Sequence, residues 1–179
     1  MEDPGGAEAF EHGGWPMPYW NDELARFKRD ELFASDALLL GRVTYDGFAA
    51  AWPDMSHEAG EYADRMNGPK YVVSSTLSDV AWNNSHLLEG DPEGSPPAQG
   101  AARPGHLDAG SGELVRSLLQ RDLIDEYRLQ VYPVVLGSGK RLFGDGREAL
   151  TLAKSMTLGP VVALVYTAAS SSEEPGAGD

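Results

Sequence analysis

Four apolar residues, Ala37-Leu-Leu-Leu40, run directly into Gly41-Arg-Val-Thr44. The apolar run is long enough only for a buried strand. The residues after it, Tyr45-Asp-Gly-Phe-Ala-Ala-Ala-Trp52, read as a helix stopped by Pro53. A strand that breaks at a glycine and restarts as a helix leaves free backbone N–H groups at the helix start. Joined by a cation and a hydroxyl, such groups suit a phosphate. Arg42 and Thr44 supply both. The alternative is an ordinary strand-to-helix turn with Thr44 as its N-cap.

The segments around this junction set the fold class. Residues 1–20 are rich in Gly, Pro and aromatics and suggest a packed loop. Asn21 then caps a helix reaching about Ala34, with Asp22 and Glu23 in its first turn and Leu24, Phe27 and Leu32 facing inward. A second helix is expected over roughly 58–67, before Pro69, and a strand over Lys70–Ser74. Residues 90–109 hold Pro92, Pro96, Pro97 and Pro104 among Gly and Ala, which is linker composition. A helix from Glu113 to about Arg121 follows. A long strand is then expected from Asp125 to Leu136, with further strands at about 150–157 and 161–167. The last ten residues read as a polar tail. Strands alternating with helices, then strands alone, indicate an α/β fold with a terminal antiparallel part.

At 179 residues the chain fits one domain, taken as 1–169 with a disordered tail over 170–179. Roughly 70% of the unfolded surface can be buried at this size. No apolar run approaches the ~20 residues of a membrane span, and no secretory signal opens the chain. Cysteine is absent, so neither a disulfide framework nor a thiolate metal site is expected. The four histidines lack ligand spacing, so no metal is expected either. A cytoplasmic location is the default reading. The net charge of −14 argues against nucleic acid as a partner. An anionic ligand would enter an unfavourable field, so local cations and helix ends must offset it. Arg42, Lys140 and Arg141 are the candidates.

Three short turns follow or approach strands and precede helices or loops: Gly41-Arg-Val-Thr44, Ser74-Ser-Thr76 and Gly110-Ser-Gly112. On one α/β sheet they could converge at the carboxyl ends of the strands, where open sheets bind ligands. Each also has a plain reading. Ser74-Ser75-Thr76 is a hydroxyl-rich turn able to satisfy its own backbone, and Gly110-Ser-Gly112 is a tight turn opening a helix.

In their order these segments resemble dihydrofolate reductase, and most of all the bacterial proteins of the RibD C-terminal family. The resemblance rests on Leu39-Leu-Gly-Arg-Val-Thr-Tyr45, Tyr71-Val-Val-Ser-Ser-Thr-Leu77, Trp82-Asn-Asn84, Gly110-Ser-Gly-Glu-Leu114 and Pro133-Val-Val-Leu-Gly-Ser-Gly-Lys-Arg-Leu-Phe143. It covers about 10–89 and 110–167. It implies a dihydrofolate reductase-like three-layer fold, with a mixed central sheet flanked by helices, and a homodimer. The implied activity is NADPH-dependent reduction of a pteridine-like or aminopyrimidine ring, with riboflavin biosynthesis as the reference chemistry. By position, Gly41, Arg42 and Thr44 would hold the cofactor's phosphates, Ser74 and Ser75 would lie at the 2′-phosphate, and Gly110, Ser111 and Gly112 would approach the pyrophosphate. Trp20 and Phe27 would line the substrate pocket. Gly137, Ser138 and Gly139 would shape its rim, with Lys140 reaching an anionic group. Glu23 falls where dihydrofolate reductase keeps its substrate-binding carboxylate, and Asp22 competes for the role of acid. The plain reading of both is a carboxylate favoured by the dipole of a first helical turn.

The chain also departs from the family pattern. Members begin with a strand ending in an S-L-D-G-type turn, whereas this chain starts at Met1-Glu-Asp-Pro-Gly5. An empty central slot in the sheet is the expectation. Gly105-His-Leu-Asp-Ala109 reads as a poor central strand, and 90–109 as a disordered insertion or altered segment. Two functions therefore stand at this point: an active reductase, or a non-catalytic remnant serving as a dimeric scaffold or nucleotide-binding protein.

Overall fold

The computed structural model describes residues 3–6, 9–55, 60–89, 105–108, 111–144 and 149–168. The chain divides into two compact units, one of residues 25–121 and one combining 1–24 with 122–179. Helix α1 (Asp22–Ala34) runs across the boundary.

The 25–121 unit is built on β1 (Ala37–Gly41), β2 (Lys70–Ser74), β3 (Ser85–Glu89) and β4 (His106–Asp108), ordered β3-β2-β1-β4 and all parallel. Helix α2 (Arg42–Ala51) leaves β1, α3 (Glu61–Met66) precedes β2, and α4 (Gly112–Leu119) follows β4. Ala37, Leu38, Leu39 and Leu40 are all buried. A parallel strand covered on both faces reads as a continuous apolar run rather than an alternating one. Around it Leu32, Leu38, Leu40, Tyr45, Met66, Val72 and Trp82 form one core. The Trp82 indole donates to Asn67 Oδ1 at 2.7 Å, and its backbone N–H donates to the Tyr45 hydroxyl at 3.0 Å.

Lys70 is fully buried at the start of β2. Its ammonium donates to the Gly68 carbonyl at 2.7 Å and the Met66 carbonyl at 3.3 Å, and lies 3.9 Å from the centre of the Trp82 ring. The carbonyls at the end of α3 and the indole face thus take the place of water around this cation.

In the second unit β5 (Glu126–Val131), β6 (Leu150–Leu158) and β7 (Val161–Ala168) form an antiparallel sheet ordered β5-β7-β6. Gly159, at φ +61°, supplies the positive φ that the first residue of a tight β6–β7 hairpin turn requires. Val161, Ala163 and Val165 alternate inward along β7. Trp15 and Tyr19 pack edge-on against Tyr132 at 5.0 and 6.0 Å, so the aromatic N-terminal segment is packed as expected.

Among the described residues the strands lie in a four-stranded parallel sheet and a three-stranded antiparallel sheet, as an α/β fold with an antiparallel part requires. Several expectations are corrected. Helix α2 begins at Arg42, not Tyr45, since the turn itself is helical. Residues 106–108, expected to lie in an altered stretch, pair with 37–39 of β1. Backbone pairing to an exceptionally apolar neighbour overrides the poor strand propensity of His-Leu-Asp. The remainder of 90–109, and the tail, lie outside the described residues. Strand β5 ends at Val131 rather than Leu136, two residues before Pro133, which has no N–H for a ladder. Strand β3 was not anticipated.

Candidate functional site

Gly41 ends β1 and is the residue from which α2 springs. Its N–H donates to Ser111 Oγ at 2.7 Å, and the Ser111 hydroxyl donates to Thr44 Oγ1 at 2.8 Å. The Gly41-Arg-Val-Thr44 turn and the turn opening α4 are therefore tied together by one buried hydroxyl. A Cβ at Gly41 would lie 3.0 Å from both Cβ and Oγ of Ser111, so close approach favours glycine here; its φ of −80° is ordinary.

Neither helix start has a side-chain cap. Gly41 has no side chain to offer, and the Ser111 hydroxyl turns across to Gly41 and Thr44 instead of closing on its own helix. Two helix N-termini, each with the partial positive charge of unpaired N–H groups, thus meet beside the carboxyl end of β1. Arg42 is exposed in the first turn of α2 and has no ionic partner among the described residues. This is a donor set suited to phosphate oxygens.

The other sequence candidates fall as follows. Val73 pairs with Gly41, so Ser74 lies one residue further along the same end of the sheet. Its hydroxyl accepts from the N–H groups of Thr76 and Leu77 at 3.1 and 3.0 Å, closing its own turn, while Ser75 is exposed beside it. Gly112 is the first residue of α4; Gly110 lies outside the described residues. Phe27 is half-buried on α1.

In the second unit, Asn21 Oδ1 accepts from the N–H groups of Glu23 and Leu24 at 3.0 Å each, the cap expected for α1. Asn21 Nδ2 donates to the Leu158 carbonyl at 3.2 Å, and the Glu23 carboxylate accepts from the Gly159 N–H at 2.6 Å. The first turn of α1 is thereby fastened to the β6–β7 hairpin. Asp22 is exposed in the same turn, and Trp20 is 54% exposed. Gly137, Ser138, Gly139 and Lys140 form an exposed loop, with positive φ at Gly137 and Gly139.

The sequence did not reveal the tie between Ser111 and Thr44, because 67 residues separate them. Lys70 was read only as part of a strand, although a lysine just after a helix C-terminus was a usable signal. Among the described residues no group of three His, Cys, Asp or Glu could hold a metal ion, and no helix is long and apolar enough to cross a membrane.

Residues 107–164 match the model of the RibD C-terminal domain. The uncharacterized protein YyaP of Bacillus subtilis (strain 168) is 29% identical over 130 residues, which cover 69% of this chain and 67% of that protein. The crystal structure of a putative riboflavin biosynthesis protein from Shewanella sp. PV-4 superposes with a TM-score of 0.62 at 22% identity, over 84% of this chain and 81% of that one. Dihydrofolate reductase from Enterococcus faecalis, complexed with NADP(H), superposes with a TM-score of 0.51 at 14% identity, over 84% of each chain. Residues 107–164 thus match the RibD C-terminal domain, and the chain has a dihydrofolate reductase-like α/β fold.

Proposed function

We propose that the chain is an NADPH-dependent reductase of a pteridine-like or aminopyrimidine ring, of the kind reduced in riboflavin biosynthesis, acting as a homodimer. The observation that carries this reading is the meeting of two uncapped helix N-termini at Gly41 and Ser111, with Arg42 beside them and without an ionic partner among the described residues. In a chain of net charge −14, such a concentration of donors suits the phosphates of a dinucleotide. The match to the RibD C-terminal domain and the fold support the same cofactor class.

In this reading Gly41, Arg42, Thr44 and the start of α4 bind the phosphates, with Ser75 and the Ser74 turn at the 2′-phosphate and Gly110 on the approach. NADPH, when bound, supplies a hydride to a carbon of the substrate ring. The ring nitrogen then needs a proton, which Glu23, or its neighbour Asp22, delivers from its carboxyl group. The resemblance assigns Trp20, Phe27, the Gly137-Ser-Gly139 loop and Lys140 to the substrate, with Lys140 for an anionic group.

A second reading is favoured by one contact. The Glu23 carboxylate accepts from the Gly159 N–H, a structural task that needs no catalysis. A nucleotide-binding protein without turnover would retain it. Glu23→Gln separates the two, because a glutamine oxygen still accepts from Gly159 but carries no acidic proton. NADPH titration followed by Trp fluorescence is expected to saturate, and Arg42→Ala to weaken binding by about tenfold or more, the loss of one charge-assisted contact. E23Q is expected to leave binding intact and lower turnover by about 100-fold or more. Absence of saturable binding overturns the reductase; binding without turnover by the unaltered chain on any pterin or aminopyrimidine favours the second reading.

A further inference from the structure

We propose that Ser111 is a positioning residue that turns Thr44 into a dedicated hydrogen-bond donor toward a bound anion. The inference rests on the nucleotide site proposed above and concerns how that site is poised. A backbone N–H can only donate, so at 2.7 Å from the Gly41 nitrogen the Ser111 oxygen must accept. The Ser111 proton is thereby directed elsewhere, and it goes to Thr44 Oγ1 at 2.8 Å. Thr44 accepts there, and its own proton has no acceptor among the described residues. Direction runs one way along the series: Gly41 N–H to Ser111, Ser111 O–H to Thr44, and Thr44 O–H to whatever binds next.

A free hydroxyl can face an anion with either a lone pair or a proton; this one has one of its two lone pairs held by Ser111 and its proton left to donate. Each bond in the series polarises the next, so the last donor is strengthened. Ser111 is only 8% exposed, while Thr44 is half-buried and Arg42 exposed in the same helical turn. The fixed donor therefore belongs to the more accessible hydroxyl, beside the cation. The ligand class this favours is an oxyanion that only accepts, such as a phosphate diester or a pyrophosphate.

The test is calorimetric titration of the full chain with NADPH and, separately, with inorganic pyrophosphate. The variants are Ser111→Ala, Thr44→Val, the double variant and Thr44→Ser. S111A and T44V are each expected to weaken both ligands by about tenfold, as for one hydrogen bond to a charged acceptor. The double variant is expected to bind within about twofold of T44V, because two residues acting through one donor are not additive. T44S, which keeps the hydroxyl, is expected to stay within about twofold of the unaltered chain. Far-UV circular dichroism and melting temperature accompany each variant; should S111A fail to fold, Ser111→Cys, which keeps the side-chain volume, takes its place. Undiminished affinity in S111A overturns the positioning role alone. So does a double variant weakened by about a hundredfold, which would make Ser111 an independent ligand of the anion. If the unaltered chain binds neither NADPH nor pyrophosphate, the nucleotide site and the positioning role fall together.

Discussion

At the scale of single residues, the most consequential group outside the proposed nucleotide site is Lys70. Burial holds its ammonium down to about 8, against an ordinary value of 10.5. Two carbonyls and the Trp82 ring offset part of the desolvation but supply no counter-charge. The folded protein therefore releases this proton near pH 8, whereas the unfolded chain keeps it until about 10.5. Below pH 8 the cost of burying the charge is present in full; between 8 and 10.5 the unfolded state binds more protons and stability rises with pH. The gain is at most about 3 kcal/mol. Tyr62 and Tyr132 act in the opposite sense: burial raises both, with Glu31 adding to the shift at Tyr62, so each destabilises the fold above its ordinary value of 10.0. The melting temperature of the unaltered chain minus that of Lys70→Met is expected to increase from pH 7 to pH 10. A flat difference would mean that Lys70 does not titrate in this range.

At the scale of elements, the same residue type has opposite value at the start and in the middle of one helix. Gly41 stands where α2 meets α4, and a methyl group there would press on Ser111 at 3.0 Å. Gly47 lies in the middle of α2 with no atom within 4 Å of the place its Cβ would occupy. Gly41→Ala is expected to destabilise by about 1–3 kcal/mol through overpacking and to weaken nucleotide binding by shifting α4. Gly47→Ala is expected to stabilise by up to ~1 kcal/mol, because alanine restricts the unfolded chain and favours helix. Urea denaturation of the two variants checks both signs, and a destabilising G47A would refute the claim that its site is open. The elements also divide by how well the sequence revealed them. Strand β1 and the cap of α1 carry their causes within a few residues: an apolar run cut by glycine, and Asn21 before Asp22 and Glu23. Strands β3 and β4 do not, because Ser-His-Leu-Leu-Glu and His-Leu-Asp become strands only by pairing with β2 and β1.

At the scale of the whole molecule, net charge and local charge act in opposite directions on an anionic cofactor. In the proposed function a total of −14 repels it at a distance, while Arg42 and two helix ends would attract it on contact. Long-range repulsion is screened first, over a Debye length of ~30 Å at 10 mM ionic strength shrinking to ~8 Å at 150 mM. The association rate of NADPH, measured by stopped-flow fluorescence, is therefore expected to rise several-fold between those conditions. A falling rate would show that the local donors control the approach. The chain by itself determined the α/β class and the three turns that carry hydroxyls and glycines, because strand runs, caps and turn residues are short-range patterns. Only the tertiary structure decided what those groups do. The Ser74 hydroxyl is spent on its own turn, the Glu23 carboxylate grips the Gly159 amide, and Ser111 bridges Gly41 to Thr44. A hydrogen bond is made by groups close in space, and the partners at Glu23 and Ser111 lie 136 and about 70 residues apart in the chain.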